Sequence, residues 1–281
     1  MTTIRRLYVD SRLRSSGTGS DFSVELPRSF EVPDQTIAFV DSVLVPNVFP
    51  TIHENNNRLY FAEIQAITLN VTEHIYTLNE GNYTGSQLAQ HVQDKINSNS
   101  SLNQPYSVSY EEKTGKITIS NNGGNIAIPT RNELIELRRG SFPWANQTLE
   151  TDLRDCHDVI GFNTTNNESS AGVLVTEGFV DLMPYKNLFL CSSSIGNMGT
   201  VVGPNLQDDI IRRIAVTSGF GNVIYDAHST SADYIDCSLT QLSQMRFRLT
   251  DEFGRTVALK GHGISFSICF MEKSVVQKIF Y

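Results

Sequence analysis

Met245-Arg246-Phe247-Arg248-Leu249-Thr250, with Asp251-Glu252-Phe253-Gly254 directly after it, is the stretch from which the fold can be read. Apolar side chains at 245, 247 and 249 alternate with Arg246, Arg248 and Thr250. That period of two turns one face of a strand to a core and the other to water. The next four residues have the acidic and glycine chemistry of a turn. Thr256-Val257-Ala258-Leu259 follows, and then Ile264, Phe266, Ile268 and Phe270 alternate with Ser265, Ser267 and Cys269.

The same pattern extends outward to the N-terminus. Leu7-Tyr8-Val9 is strand-like, and Phe22, Val24 and Leu26 alternate with Ser23 and Glu25. Between them, Ser15-Ser16-Gly17-Thr18-Gly19-Ser20 is too small and polar to pack and predicts a flexible loop. Ile37 to Val45 is uniformly apolar and predicts a central strand covered on both faces, ended by Pro46-Asn47. Leu59-Tyr60-Phe61 and Ile64 to Val71 predict two more strands, and others resume at Val173-Leu174-Val175 and Leu188-Phe189-Leu190.

One segment breaks the alternation. Thr84-Gly85-Ser86-Gln87 has the form of a capping box, and Leu88, Val92 and Ile96 recur every four residues beside Ala89, which predicts a short amphipathic helix. A hairpin is expected next, with Val108 and Tyr110 on one arm, a turn at Lys113-Thr114-Gly115, and Ile117 and Ile119 on the other. Glu133 to Arg139 predicts a second short helix, and Val159 to Phe162 a short apolar return. The fold class expected is all-β, a jelly-roll-like β-sandwich with a small α+β insertion. The sandwich is assigned residues 1–76 and 166–281, with an N-terminal arm over about 1–20, and the inserted module residues 77–165.

The 281 residues are 40% hydrophobic and 19% charged, with a formal net charge of -8. An acidic chain is unsuited to coating nucleic acid, where affinity comes from neutralising phosphates. The exception is local: Arg5, Arg6, Arg12 and Arg14 crowd the N-terminus. They predict either a solvated arm or one that docks on an acidic neighbour or on genome phosphates, and they are the candidate assembly contacts. No apolar run approaches membrane-spanning length, and the first residues lack the apolar region of a secretory signal, so synthesis in the cytoplasm or nucleus is expected. Cys156, Cys191, Cys237 and Cys269 are scattered, and buried free thiols are expected.

Catalytic and metal-binding spacings are missing. The chain has no phosphate-binding glycine loop, nucleophile elbow or zinc helix. Cys156-His157 is the one adjacent thiol and imidazole pair, but neighbours in sequence diverge on a strand or a helix and do not make a dyad. The six histidines show no ligand spacing and there is no Cys-x-x-Cys. Asp208-Asp209 and the group Asp226, Asp233 and Asp236 read as turn caps in preference to a calcium loop. Trp144, in Ser141-Phe142-Pro143-Trp144, reads as a core anchor or, alternatively, as an exposed platform for a sugar. Neither an enzyme nor a cofactor is expected.

Several stretches together resemble a known family. Val9-Asp10-Ser11-Arg12-x-Arg14, then Asp21-Phe22-Ser23-Val24-Glu25-Leu26-Pro27, then Ser42-Val43-x-Val45-Pro46-Asn47, is similar to the opening of minor capsid and penton proteins of large eukaryotic double-stranded DNA viruses and related polinton-like viruses. Tyr76-Thr77-Leu78-x-x-Gly81-Asn82-Tyr83-Thr84, with the following helix and hairpin, looks like the module those proteins carry. Phe247-Arg248-Leu249-x-Asp251-x-x-Gly254-Arg255-x-Val257-x-Leu259 resembles their last jelly-roll strands. The resemblance implies a single jelly roll without enzymatic activity, located in the virion. A penton role implies a ring of five copies at the fivefold vertices, bound to the major capsid protein and other capsid proteins. The alternatives are a minor capsid, or cement, protein beneath the facets and a carbohydrate- or receptor-binding sandwich.

Overall fold

The computed structural model describes residues 4–66, 68, 70–102, 104–138, 154–162, 167–169, 171–195, 203, 206–227, 233–237 and 241–273. Two compact units divide the chain: Met1–Phe49 with Tyr185–Tyr281, and Pro50–Pro184.

The first unit contains β1 (Arg5–Asp10), β2 (Ser16–Gly17), β3 (Asp21–Glu31) and β4 (Thr36–Pro46). The second contains β5 (Arg58–Gln65), β6 (Val71–Thr77), α1 (Gly85–Asn99), β7 (Ser107–Glu111), β8 (Lys116–Ser120), β9 (Gly124–Ile128), α2 (Arg131–Arg138), α3 (His157–Ile160), β10 (Asn167–Glu168) and β11 (Val173–Val175). The chain then returns to the first unit with β12 (Asn187–Cys191), β13 (Ile210–Ala215), β14 (Val223–Asp226), β15 (Ile235–Asp236), β16 (Gln241–Thr250) and β17 (Ser265–Glu272).

Strand order in the first unit is β1-β17-β4-β14 in one sheet, with β15 also on β4, and β13-β12-β16-β3-β2 in the other. Leaving out the two-residue strands, eight strands divide between two four-stranded sheets, and the pairings among them are antiparallel. This is the jelly-roll arrangement, two Greek keys folded together. One core joins the sheets. Phe247 on β16 lies 5.7 Å from Phe22 on β3 and 4.9 Å from Phe266 on β17, so its ring links the two inner faces.

The alternation at 245–249 is borne out: Met245, Phe247 and Leu249 are fully buried. On the other face, Arg246 donates to Asp21 (3.1 and 3.0 Å) and Arg248 to Asp209 (2.9 Å). On β17, Cys269 and Met271 are also buried, against Ile37 and Phe39 of β4, with Tyr234 packed beside them. The cover on the outer face of β4 stops there, because Leu44 is exposed.

The second unit holds the sheets β10-β9-β5-β6 and β11-β8-β7. Leu88, Ala89, Val92 and Ile96 of α1 pack with Leu59, Phe61, Ile117 and Ile119 in its core. The capping box forms as expected: the Gln87 N–H donates to Thr84 Oγ1 (3.3 Å) and the Thr84 N–H to Gln87 Oε1 (3.0 Å). Thr84→Ala is expected to cost about 1 kcal/mol in urea unfolding, and an unchanged midpoint would count against the cap. Gly115, at φ +67°, closes the β7–β8 hairpin where Lys113-Thr114-Gly115 predicted a turn.

Some sequence expectations differ from the structure. The strands expected at 59–61 and 64–71 are β5, which runs through Ile64, and β6, which starts at Val71. Both were assigned to the sandwich, yet they pair with each other and β5 pairs with β9, so they pack in the second unit. The expected N-terminal arm is structured: β1 pairs with β17 from Arg5↔Phe270 to Asp10↔Ser265, and β2 pairs with Phe22 and Ser23. Within the loop, the Ser15 hydroxyl donates to the Ser23 carbonyl at 3.0 Å, and ahead of it a small side chain bonds to distant backbone. Ser11, fully buried, accepts the Ile264 N–H at 2.9 Å, a link across 253 residues that composition does not reveal.

Candidate functional site

The four N-terminal arginines do not act as a group. Arg12 donates to Asp10 through Nε and NH2, and Arg14 donates to the Ser11 and Gly17 carbonyls. These two are engaged within their own turn. Arg6 lies 3.8 Å from Asp41 and donates through Nε to Cys269 Sγ at 3.3 Å. Arg5 stacks over the Phe30 ring at 4.8 Å and, like Arg28, has no carboxylate partner among the described residues. Trp144 lies outside the described residues.

Arg5, Arg6 and Arg28 stand around a groove of about 350 Å³ on one side of the sandwich. Pro27 explains the opening. Between Glu25, opposite Gln244, and Phe30, opposite Leu242, Leu26–Ser29 face the single residue Ser243. Such a bulge accommodates a proline, which lacks the N–H for the ladder, and bows β3 away from its neighbour. Leu7, Leu26, Phe30, Leu242, Met245 and Phe270 line the apolar floor and walls. The opposite side is closed by charge. Arg212, on edge strand β13, donates to Asp226 on edge strand β14 at 2.9 and 2.7 Å and pairs with Asp233 at 3.2 Å.

Four of the five aspartates read as turn caps are ion-pair partners: Asp209 meets Arg248, Asp226 and Asp233 meet Arg212, and Asp236 meets Lys273 at 2.6 Å. Their cations come from other strands, so local sequence could not show the pairing. Among the described residues no group of three or more His, Cys, Asp or Glu side chains is placed to hold a metal ion. All four thiols are free and buried. Burial pushes the Cys191 thiol up to about 12 and that of Cys237 up to about 11, which keeps them in the unreactive protonated form. His157 follows Cys156 on α3, where its ring meets Tyr60 edge-on at 5.9 Å.

Sequence reasoning missed one polar centre. Glu63 is fully buried on β5. Its carboxylate accepts from Ser100 Oγ (2.7 Å), the Ser101 N–H (2.7 Å) and the Ser101 hydroxyl, and His74 Nε2 lies 3.0 Å away. With both oxygens engaged, the group pins the end of α1 to the sheet. Burial alone would raise its pKa, but the hydrogen bonds from Ser101 and Ser100 outweigh that and hold it below the ordinary value. A depressed folded pKa contributes stability above the unfolded value of roughly 4.3, lost as pH falls through the folded value. Glu63→Gln is expected to flatten the acid limb of stability below roughly pH 4.3. Superimposable stability–pH curves for the two proteins would refute this role.

No family profile matches the sequence, and no curated protein resembles it in sequence. Solved structures match it in fold. The mavirus penton protein superposes with a TM-score of 0.51 at 10% identity, over 96% of this chain and 99% of that one. The fold is shared with the mavirus penton protein. A chain of the Sputnik virophage structure gives a TM-score of 0.48 at 12% identity, over 98% of this chain and 99% of that one. With 96% of the chain aligned, the likeness to the mavirus penton protein takes in both the jelly roll and the inserted unit.

Proposed function

We propose that the protein is a structural subunit of a virion, a penton-type protein that forms the fivefold vertices of an icosahedral capsid as a ring of five copies. The observation that carries this reading is the end-to-end correspondence of the jelly roll and its insertion with the mavirus penton protein. The two sides of the sandwich lend physical support. A cyclic ring joins two different, complementary surfaces on each copy. Here one side is clamped by Arg212 with Asp226 and Asp233, and the other opens into an apolar groove with an arginine rim. Its partners are further copies of itself and the major capsid protein, and its role is architectural. The purified chain can be monomeric under this reading, because small ring interfaces need the surrounding shell to hold them. A cryo-electron-microscopy reconstruction of the assembled particle tests the proposal. Density for this chain at the fivefold vertices supports it, and density only beneath the facets, or none in the shell, overturns it.

A further inference from the structure

We propose that the groove between β1 and the bulged part of β3 receives an extended segment of a protein partner, one in which acidic and apolar residues alternate, as an added strand. Three features specify that occupant. The first is open backbone. Among the described residues, β1 is an edge strand paired only with β17, and beyond Ser23 strand β3 has β16 on one side and no strand on the other. Unpaired strand edges are templates for a further strand, whose main-chain hydrogen bonds give affinity and whose alternate side chains give specificity.

The second is apolar depth. Leu242, Met245 and Phe270 are buried residues of the sandwich core, yet they form part of the groove wall. Branched or aromatic side chains entering the groove would bury apolar area on both partners at once. A nucleic-acid backbone has nothing to place there.

The third is charge. Arg5, Arg6 and Arg28 line the groove together with apolar side chains, and no carboxylate among the described residues lines it. Arg5 and Arg28 carry exposed guanidiniums without a carboxylate partner among the described residues, in a chain of net charge -8. Acidic side chains flanking the apolar ones would complete these cations and orient the incoming strand. Arg12 and Arg14, already engaged by Asp10 and by backbone carbonyls, take no part.

The groove's chemistry holds for any location of the protein, so this proposal and the capsid reading can fail separately. The test uses the full chain and a fluorescein-labelled heptapeptide of alternating glutamate and leucine, titrated by anisotropy. Saturable binding is expected. Arg5→Glu with Arg28→Glu should weaken it by about tenfold or more while the protein keeps a cooperative thermal melt, since both side chains are exposed and only the Arg5 stack on Phe30 is lost. A lysine-for-glutamate peptide should show a comparable loss. So should a peptide with a central proline, which cannot complete the strand ladder. Leu26→Asp, placing a charge in the apolar wall, provides an independent variant with the same expected loss. The proposal is overturned by absence of saturable binding up to roughly 1 mM peptide, by equal affinity of the wild type and the charge-reversed protein, or by tighter binding of a single-stranded oligonucleotide than of the peptide.

Discussion

Phe247→Ala is expected to destabilise the sandwich by about 3–5 kcal/mol, the range for truncating a buried phenylalanine. Phe247 is fully buried and stands between the two sheets, its ring against Phe22 on its own sheet and Phe266 on the facing one. Truncation removes the apolar transfer term and leaves a cavity bordered by strands that cannot collapse without shifting a whole register. Phe253→Ala, six residues along, is the control: that ring is exposed and lies 4.7 Å from the Arg255 guanidinium on the β16–β17 connection. Urea unfolding followed by circular dichroism gives the comparison. Equal midpoints for the two variants would contradict the position given to Phe247.

Deleting Pro50–Pro184 and joining Phe49 to Tyr185 through a short flexible linker is expected to leave a foldable sandwich. The whole inserted unit is removed, so the expected outcome is all or none. Both flanking residues belong to the sandwich core, and their rings pack edge-on with centroids 5.1 Å apart. The new loop therefore closes over a short span, and closure costs grow only slowly with length. All eight jelly-roll strands lie outside the deleted segment. A cooperative unfolding transition and a β-type circular dichroism spectrum are the expected readings. An aggregated or unfolded product would mean that the sandwich depends on the inserted unit.

The placing of that cut shows where local reading stops. Leu59-Tyr60-Phe61 and Ile64 to Val71 look like sandwich strands, because an apolar strand pattern reports that a strand has a core face without identifying the core. β5 keeps its alternation inside the second unit, with Leu59 and Phe61 in one cluster and Tyr60 facing Leu134 in another. The Thr84 capping box and the Leu88, Val92 and Ile96 stripe were legible for the opposite reason: both depend on residues at most four apart.

The candidate site divides along the same line. Arg5 and Arg6 stand out in sequence as part of a basic cluster. Arg28, Leu242 and Phe270 join them only because β3, β16 and β17 converge on β1, the last two residues over separations of more than two hundred residues. Glu63 and its serines at 100 and 101 are likewise brought together by a helix packing back on a strand.

By itself the sequence determined the β class, the capping box of α1, the buried face of Met245, Phe247 and Leu249, and the burial of the thiols. Those properties follow from the 2.0 and 3.6 residue periods and from side-chain polarity, which act over a few neighbouring residues. Only the tertiary structure decided the strand order, the limits of the inserted unit, the Arg212 clamp and the groove beside β1. Each arises from pairing between distant segments, where hydrogen-bond registry and charge meet across space, and no local pattern encodes which distant partner a strand will take.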